Sequence, residues 1–133
     1  MVFARNTAMG FNRWADRRID AENPRTAGRE IPAGVIPPRH ALRFVAVNAL
    51  LFIAAASTIN LLTALLSPVA LFIILFYSYC KRFTALAHLV LGLSLGIAPV
   101  GAYIAVTGRI ALEPCILSLL VMTWCGGFDI IYA

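Results

Sequence analysis

The fold is decided by an uncharged stretch at residues 44–80, which reads FVAVNALLFIAAASTINLLTALLSPVALFIILFYSYC. It contains 37 consecutive residues without Asp, Glu, Lys or Arg. As a single α-helix it would be roughly 55 Å long, since a helix rises about 1.5 Å per residue. The hydrocarbon core of a bilayer is only about 30 Å thick. The stretch therefore predicts two membrane-spanning helices joined by a turn.

Polar residues and a proline indicate where that turn lies. Asn60, Thr63, Ser67 and Pro68 stand in the middle of the stretch. Proline has no backbone N–H and suits the first turn of a helix better than its interior. A second uncharged run covers residues 83–108, and a third lies between Glu113 and Asp129. We expect four spans, near 42–62, 66–81, 84–106 and 110–128.

The composition supports a membrane protein over a soluble one. Of the 133 residues, 61% are hydrophobic and 13% are charged, whereas a soluble domain carries about 25% charged residues. A chain of this length has too little polar surface to enclose four apolar helices in water. We therefore predict an all-α fold: a single membrane domain over residues 1–133, with about four spans. Residues 2–12 are interpreted as the tail of an earlier helix, and residues 13–41 as a cytoplasmic loop.

The distribution of basic residues predicts how the spans are oriented. Eight of the eleven lie between Arg5 and Arg43, and Lys81 and Arg82 follow after two predicted spans. Arg109 would be the only basic residue on the opposite side. Because cytoplasmic loops carry an excess of Lys and Arg, we place the loop, Lys81, Arg82 and also Asp129 on the cytoplasmic face of a bacterial inner (plasma) membrane. The net charge of +5 then reflects the orientation of the chain in the lipid membrane. No nucleic-acid partner is expected, because no basic–aromatic motif is present.

A column of oxygen-bearing side chains precedes the loop. Asn12, Asp16 and Asp20 are spaced by four residues, so on a helix they stack along one face, with Arg13 and Arg17 on the neighbouring stripe. Mg²⁺ favours carboxylates together with substrate phosphates, which makes the column a candidate Mg²⁺ site. An ordinary solvated helix end with Asp–Arg pairs is an equally good interpretation of this spacing alone.

Further basic residues point to an anionic ligand. Arg25 and Arg29 lie in a loop rich in Pro and Gly, and Lys81-Arg82 is predicted on the same side of the membrane. Cations without matching carboxylates, beside a candidate metal site, suggest a polyanion such as a diphosphate. The alternative for Lys81-Arg82 is a pair that only sets the topology.

These residues resemble motifs of the UbiA superfamily of intramembrane prenyltransferases. The first aspartate-rich motif is similar to Asn12-x3-Asp16-x3-Asp20 followed by Asn-Pro-Arg-Thr-x2-Arg-Glu-Ile-Pro at residues 23–32. The segment from Tyr77 to Thr84 resembles the Y-x3-K-R-x-T segment, and residues 126–133, GGFDIIYA, resemble the D-x-x-Y-A lead-in to the second motif. The resemblance covers nearly the whole chain and is strongest to members that prenylate 4-hydroxybenzoate or related aromatic acids in quinone synthesis.

The resemblance implies a mechanism and a set of site residues. Mg²⁺ held by Asn12, Asp16 and Asp20 would grip a polyprenyl diphosphate, with Asp16 and Asp20 as catalytic groups. Departure of the diphosphate would leave an allylic carbocation, which would react with the electron-rich ring of an aromatic acid, and apolar helices would exclude water from the cation. Six further residues would bind substrate: Arg25, Arg29, Tyr77, Lys81, Arg82 and Asp129. Of these, Arg25 or Arg29 would receive the carboxylate of the acceptor.

Two departures and three alternatives accompany this interpretation. Arg13 stands where the family commonly has Asp, and the second D-x3-D pair would begin beyond Ala133. We therefore expect a fragment of a larger, roughly nine-span enzyme that is inactive by itself. A naphthoate-type menaquinone precursor is an alternative acceptor. A transporter or an anionic-lipid-binding segment are the non-enzymatic alternatives, although a transporter would be expected to place ionisable groups near the bilayer midplane.

Overall fold

A computed structural model describes residues 1–80 and 87–132. These residues form five α-helices and no strand, which confirms the all-α fold. The helices are α1 (Val2–Glu22), α2 (Pro38–Ser57), α3 (Leu61–Cys80), α4 (Ala87–Thr107) and α5 (Leu112–Tyr132). Helices α2 to α5 are long and apolar enough to cross a membrane.

Helix α1 extends further than the sequence indicated. It runs without interruption to Glu22 and ends where Asn23 adopts an extended conformation before Pro24. Residues 13–22 of the segment predicted as a loop are therefore helical. Extended backbone is what the residue before a proline prefers, so the sequence at 23–24 explains the helix end. The Asn12–Asp20 column lies on a helix, as its spacing predicted.

Helix α3 contains Pro68 in its interior, whereas we predicted that the helix begins close to it. The helix instead begins at Leu61, where the Asn60 side chain accepts a hydrogen bond from the Thr63 N–H at 2.8 Å. Pro68 has no N–H to donate to the Ala64 carbonyl four residues earlier. The Ser67 hydroxyl donates to that carbonyl at 2.9 Å, so the proline leaves no unsatisfied acceptor there.

The chain forms two compact units, Met1–Phe52 and Ile53–Ala133. In the first unit, the Asn6 amide donates to Oδ1 of Asn48 at 3.2 Å and so joins α1 to α2. Gly10 faces the Val45 side chain so closely that a Cβ on the glycine would lie 3.0 Å from it. Small and amide-bearing residues at such contacts are typical of helix association in membranes.

In the second unit, α4 packs along both α3 and α5. A Cβ on Gly92 would lie 2.5 Å from the Met122 carbonyl oxygen, and one on Gly96 would lie 2.9 Å from that of Ser118. The absence of a side chain at both positions thus lets the α4 and α5 backbones approach. Many large apolar side chains of the spans are exposed, as a bilayer or further helices would require.

Candidate functional site

The oxygen-bearing column of α1 differs in exposure along its length. Asn12 and Asp16 are half-buried, and Asp20 is only 7% exposed. A buried carboxylate is costly unless it is paired and hydrogen-bonded. The contacts of Asp20 therefore have to stabilise its buried charge.

Asp20 forms an ion pair with Arg29. The Nη1 atom of Arg29 donates to both carboxylate oxygens, at 3.1 Å to Oδ1 and 3.0 Å to Oδ2. The Thr26 hydroxyl donates to the backbone carbonyl of the same aspartate at 3.1 Å. The loop after α1 is therefore attached to the end of the helix through Asp20.

A second ion pair attaches the same loop to α1. Arg13 pairs with Glu30, and both side chains are exposed. The pKa of the Glu30 carboxyl is lowered from its ordinary value of 4.5, first by a backbone N–H hydrogen bond and then by the hydrogen bond and charge of Arg13. Since Arg13 and Asp20 are seven residues apart, they lie on nearly the same side of the helix. Two adjacent loop residues, Arg29 and Glu30, thus contact α1 on nearly the same side, about two helical turns apart.

Turns formed by the loop's own backbone fold it back onto the helix. The Asn23 side chain accepts a hydrogen bond from the Arg25 N–H at 3.0 Å, and the Asn23 carbonyl accepts from Thr26 and Ala27, both at 2.9 Å. Asparagine favours this local pattern because its side chain can mimic a backbone turn. Arg25 itself is exposed.

Arg17, on the stripe beside the column, contacts Trp14. Its guanidinium carbon lies 4.5 Å from the ring centroid, and its Nη1 donates to the Trp14 carbonyl at 2.8 Å. A guanidinium over an indole face is a favourable cation–π contact. Arg17 therefore packs along α1, whereas Arg29 reaches Asp20 from the loop.

In the second unit, Asp129 pairs with a residue that the sequence did not single out. Nδ1 of His88 lies 2.6 Å from Oδ2 of Asp129. An available signal was that His88 and Asp129 interrupt apolar segments near the predicted cytoplasmic ends of two successive spans.

A shallow apolar cavity of about 220 Å³ lies beside Asp129. Its lining residues are Leu91, Leu95, Trp124, Cys125, Phe128 and Asp129. Tyr77 is half-buried in the last turn of α3. Lys81, Arg82 and Thr84 fall outside the described residues, so their predicted role stays a prediction.

The donor atoms of α1 fit Mg²⁺ in part. The amide oxygen of Asn12 and the carboxylate of Asp16 are hard ligands of the kind that Mg²⁺ prefers. Both carboxylate oxygens of Asp20 are already hydrogen-bonded to Arg29. Within residues 1–80 and 87–132, no three His, Cys, Asp or Glu side chains are grouped to hold a metal ion. The contact with Arg29 would therefore compete with a metal ion for the Asp20 carboxylate.

Four helices long and apolar enough to cross a membrane define a polytopic helical membrane protein. Its first helix and the loop that follows carry paired Asp and Arg side chains. The match to known families is specific. The chain belongs to the UbiA prenyltransferase family, which it matches over residues 1–133.

Individual relatives agree with this family. The chain is 34% identical to 4-hydroxybenzoate octaprenyltransferase of Aliivibrio fischeri (strain MJ11), over 100% of the chain and 46% of that protein. It is 39% identical to protoheme IX farnesyltransferase of Symbiobacterium thermophilum, over 88% of the chain and 40% of that protein. An apo structure of a UbiA homolog from Aeropyrum pernix K1 superposes with a TM-score of 0.87 at 36% identity, covering 98% of this chain and 50% of that one. The chain thus spans about half the length of the relatives it matches.

Proposed function

We propose that the protein transfers a polyprenyl group from polyprenyl diphosphate to an aromatic acid such as 4-hydroxybenzoate, in quinone synthesis. The observation that carries this proposal is the match along the whole chain to a 4-hydroxybenzoate octaprenyltransferase. The polar face of α1 with its arginine-bearing loop supports it, because a diphosphate needs both metal ligands and cations.

Asn12 and Asp16 are the proposed direct ligands of Mg²⁺. Bound there with a diphosphate, the ion would offset the negative charge that develops on the leaving group. Lys81 and Arg82 would neutralise the rest of that charge, and Tyr77, Arg25 and Asp129 would contribute to substrate binding. Asp20, predicted from the sequence as a third ligand, is assigned another role below.

The apolar helices would hold the prenyl chain and keep water from the allylic cation, which water would otherwise quench. We place the site on the cytoplasmic face of a bacterial inner membrane, because basic residues concentrate in residues 5–43 and positive charge favours that side.

A second candidate acceptor is protoheme. The 39% identity to a protoheme IX farnesyltransferase over 119 residues favours it. With either acceptor the prenyl donor would be an allylic diphosphate, so the α1 site would bind the donor in both cases. The two proposed activities would differ in the acceptor, and a naphthoate-type acceptor is tested beside them.

The test uses the natural full-length protein in detergent, with Mg²⁺, a labelled polyprenyl diphosphate and each acceptor in turn. Asp16→Asn should lower the rate by roughly 100-fold or more, the usual scale for removing one group that stabilises developing charge. Glu22→Gln is the matched control, since Glu22 is exposed at the end of the same helix. Unchanged transfer by Asp16→Asn, or no transfer by the wild type to any acceptor, would contradict the proposal.

A further inference from the structure

We propose that Asp20 is a positioning residue that holds Arg29 as a receptor for a substrate oxyanion, and that it does not ligate the metal. The inference rests on the proposed function, because the oxyanion belongs to one of its two substrates.

The two partners of this ion pair differ in exposure. The Asp20 side chain is 10% exposed, whereas the Arg29 side chain is 44% exposed. A Mg²⁺ ligand has to reach the substrate phosphates that complete the coordination. Asp20 is instead enclosed, and the exposed partner is the cation. The exposed part of this ion pair is therefore the positively charged guanidinium of Arg29.

Arg29 retains hydrogen-bonding capacity beyond this contact. Only its Nη1 atom donates to Asp20. Among the residues that the structure describes, none accepts a hydrogen bond from its Nη2 or Nε atoms. A guanidinium presents five N–H donors in a rigid plane, and two parallel donors match the oxygens of a carboxylate or phosphate. One edge of Arg29 is thus fixed while donors remain for an anion.

Neighbouring contacts keep Arg29 in this position. The Thr26 hydroxyl bonds to the Asp20 carbonyl at 3.1 Å, which fixes the start of the loop. Glu30, the adjacent carboxylate that could compete for Arg29, pairs with Arg13 instead. Glu30 is therefore paired with Arg13, and Arg29 is paired with Asp20.

The ligand is defined by its chemistry as an oxyanion. It is either the diphosphate of the prenyl donor or the carboxylate of the aromatic acceptor, and both accept paired N–H donors from arginine. Inorganic diphosphate and 4-hydroxybenzoate are separate binding probes for these two sources.

The first experiment measures Mn²⁺ binding by electron paramagnetic resonance in the full-length protein, with Mn²⁺ replacing Mg²⁺. Asp16→Asn should weaken binding by about tenfold or more, since affinity follows the number of charged ligands. Asp20→Asn and Arg29→Gln should each change it by less than about threefold, because screening weakens the effect of charges that are not ligands. If Asp20→Asn weakens binding as much as Asp16→Asn does, Asp20 is a ligand and the inference is wrong. Tighter binding by about tenfold in Arg29→Gln would also overturn it, because Arg29 would then be blocking a ligand.

The second experiment measures binding of the two anionic probes and the KM of the two substrates. Asp20→Asn and Arg29→Gln should each weaken the binding of one probe by roughly tenfold and raise the KM of the corresponding substrate by a similar factor. The effect on kcat should be smaller. The double variant should resemble either single variant, since both act through one contact. Arg29→Lys should restore only part of the affinity, because an ammonium lacks the planar fork.

The outcomes separate this inference from the proposed function. If the wild type prenylates no acceptor but Arg29→Gln loses affinity for inorganic diphosphate, the proposed function fails and the positioning role stands. Unchanged binding of both probes in Arg29→Gln would refute the positioning role even in an active enzyme. Should Asp20→Asn not fold, as judged by helical circular dichroism, the two Arg29 variants complete the test.

Discussion

Nδ1 of His88 lies 2.6 Å from Oδ2 of Asp129, and this contact joins the beginning of α4 to the last turns of α5. The two residues are 41 positions apart in the chain. Both side chains are partly exposed, at 26% for His88 and 35% for Asp129. The pair therefore positions a carboxylate at the border of the apolar cavity between the two helices.

Replacing His88 with Leu should destabilise the α4–α5 pair by about 1–2 kcal/mol, because Asp129 loses its hydrogen-bond partner. His88→Gln should retain most of the stability, since an amide N–H can donate to the carboxylate. The measurement is thermal unfolding in detergent. His40→Leu is the control, because His40 is exposed at the start of α2. A similar loss in both leucine variants would argue against a specific pair.

Gly92→Ala should destabilise the same pair of helices more directly. The added Cβ would lie 2.5 Å from the Met122 carbonyl oxygen, so one backbone must move, at a cost of about 1–3 kcal/mol. Gly101→Ala is the matched control on the same helix, because nothing lies within 4 Å of its Cβ position. In an open helical position, alanine is favoured over glycine by up to about 1 kcal/mol. Equal unfolding temperatures for the two variants would contradict the close backbone approach.

Asn60→Leu should loosen the connection between α3 and α4. Its Nδ2 atom donates to the carbonyls of Ile104 at 2.9 Å and Ala105 at 3.2 Å, while its Oδ1 caps α3. Losing the cap alone costs roughly 1 kcal/mol, and the unpaired carbonyls add to that. Thermal unfolding and amide hydrogen exchange in the first turn of α3 measure the effect. Ser57→Ala, at an exposed site, should leave both measurements nearly unchanged.

Attachment of the loop to α1 through Glu30 should depend on pH. Because the folded state lowers the pKa of this carboxyl below 4.5, its contribution is present above pH 4.5 and is lost as the pH falls through the lowered pKa. Limited proteolysis of residues 23–37 between pH 6 and pH 3 measures this release. Glu30→Gln should show increased cleavage already at pH 6, with a weaker pH response. Glu22→Gln, which leaves the Arg13 contact intact, should behave as the wild type does.

The sequence carries a signal for the close approach of α4 and α5. Gly92 and Gly96 form a G-x3-G spacing within an apolar segment, a pattern typical of helix pairs in membranes. The pattern alone does not name the partner helix. Only the packed structure shows that Met122 and Ser118 of α5 meet these glycines.

Helix ends were less predictable than helix number. Pro68 suggested a helix start near residue 66, but Asn60 caps α3 and lies eight residues before Pro68. The Ser67 hydroxyl donates to the carbonyl that the proline leaves without a donor. That the Ser67 hydroxyl donates to the carbonyl of Ala64 in place of the missing proline N–H is evident only from the folded backbone.

The sequence by itself determined the class of fold and the placement of the candidate column. Long uncharged segments have to be spans, because a bilayer offers no partner to unpaired backbone groups, and a four-residue spacing has to stack on one helical face. Tertiary structure decided which charges meet. Asp20 could have faced a metal, Arg17 or Arg29, and the fold of the loop selects Arg29. Asp129 likewise acquires His88 only through the packing of α5 on α4, since contacts between residues distant in the chain depend on how helices pack rather than on local periodicity.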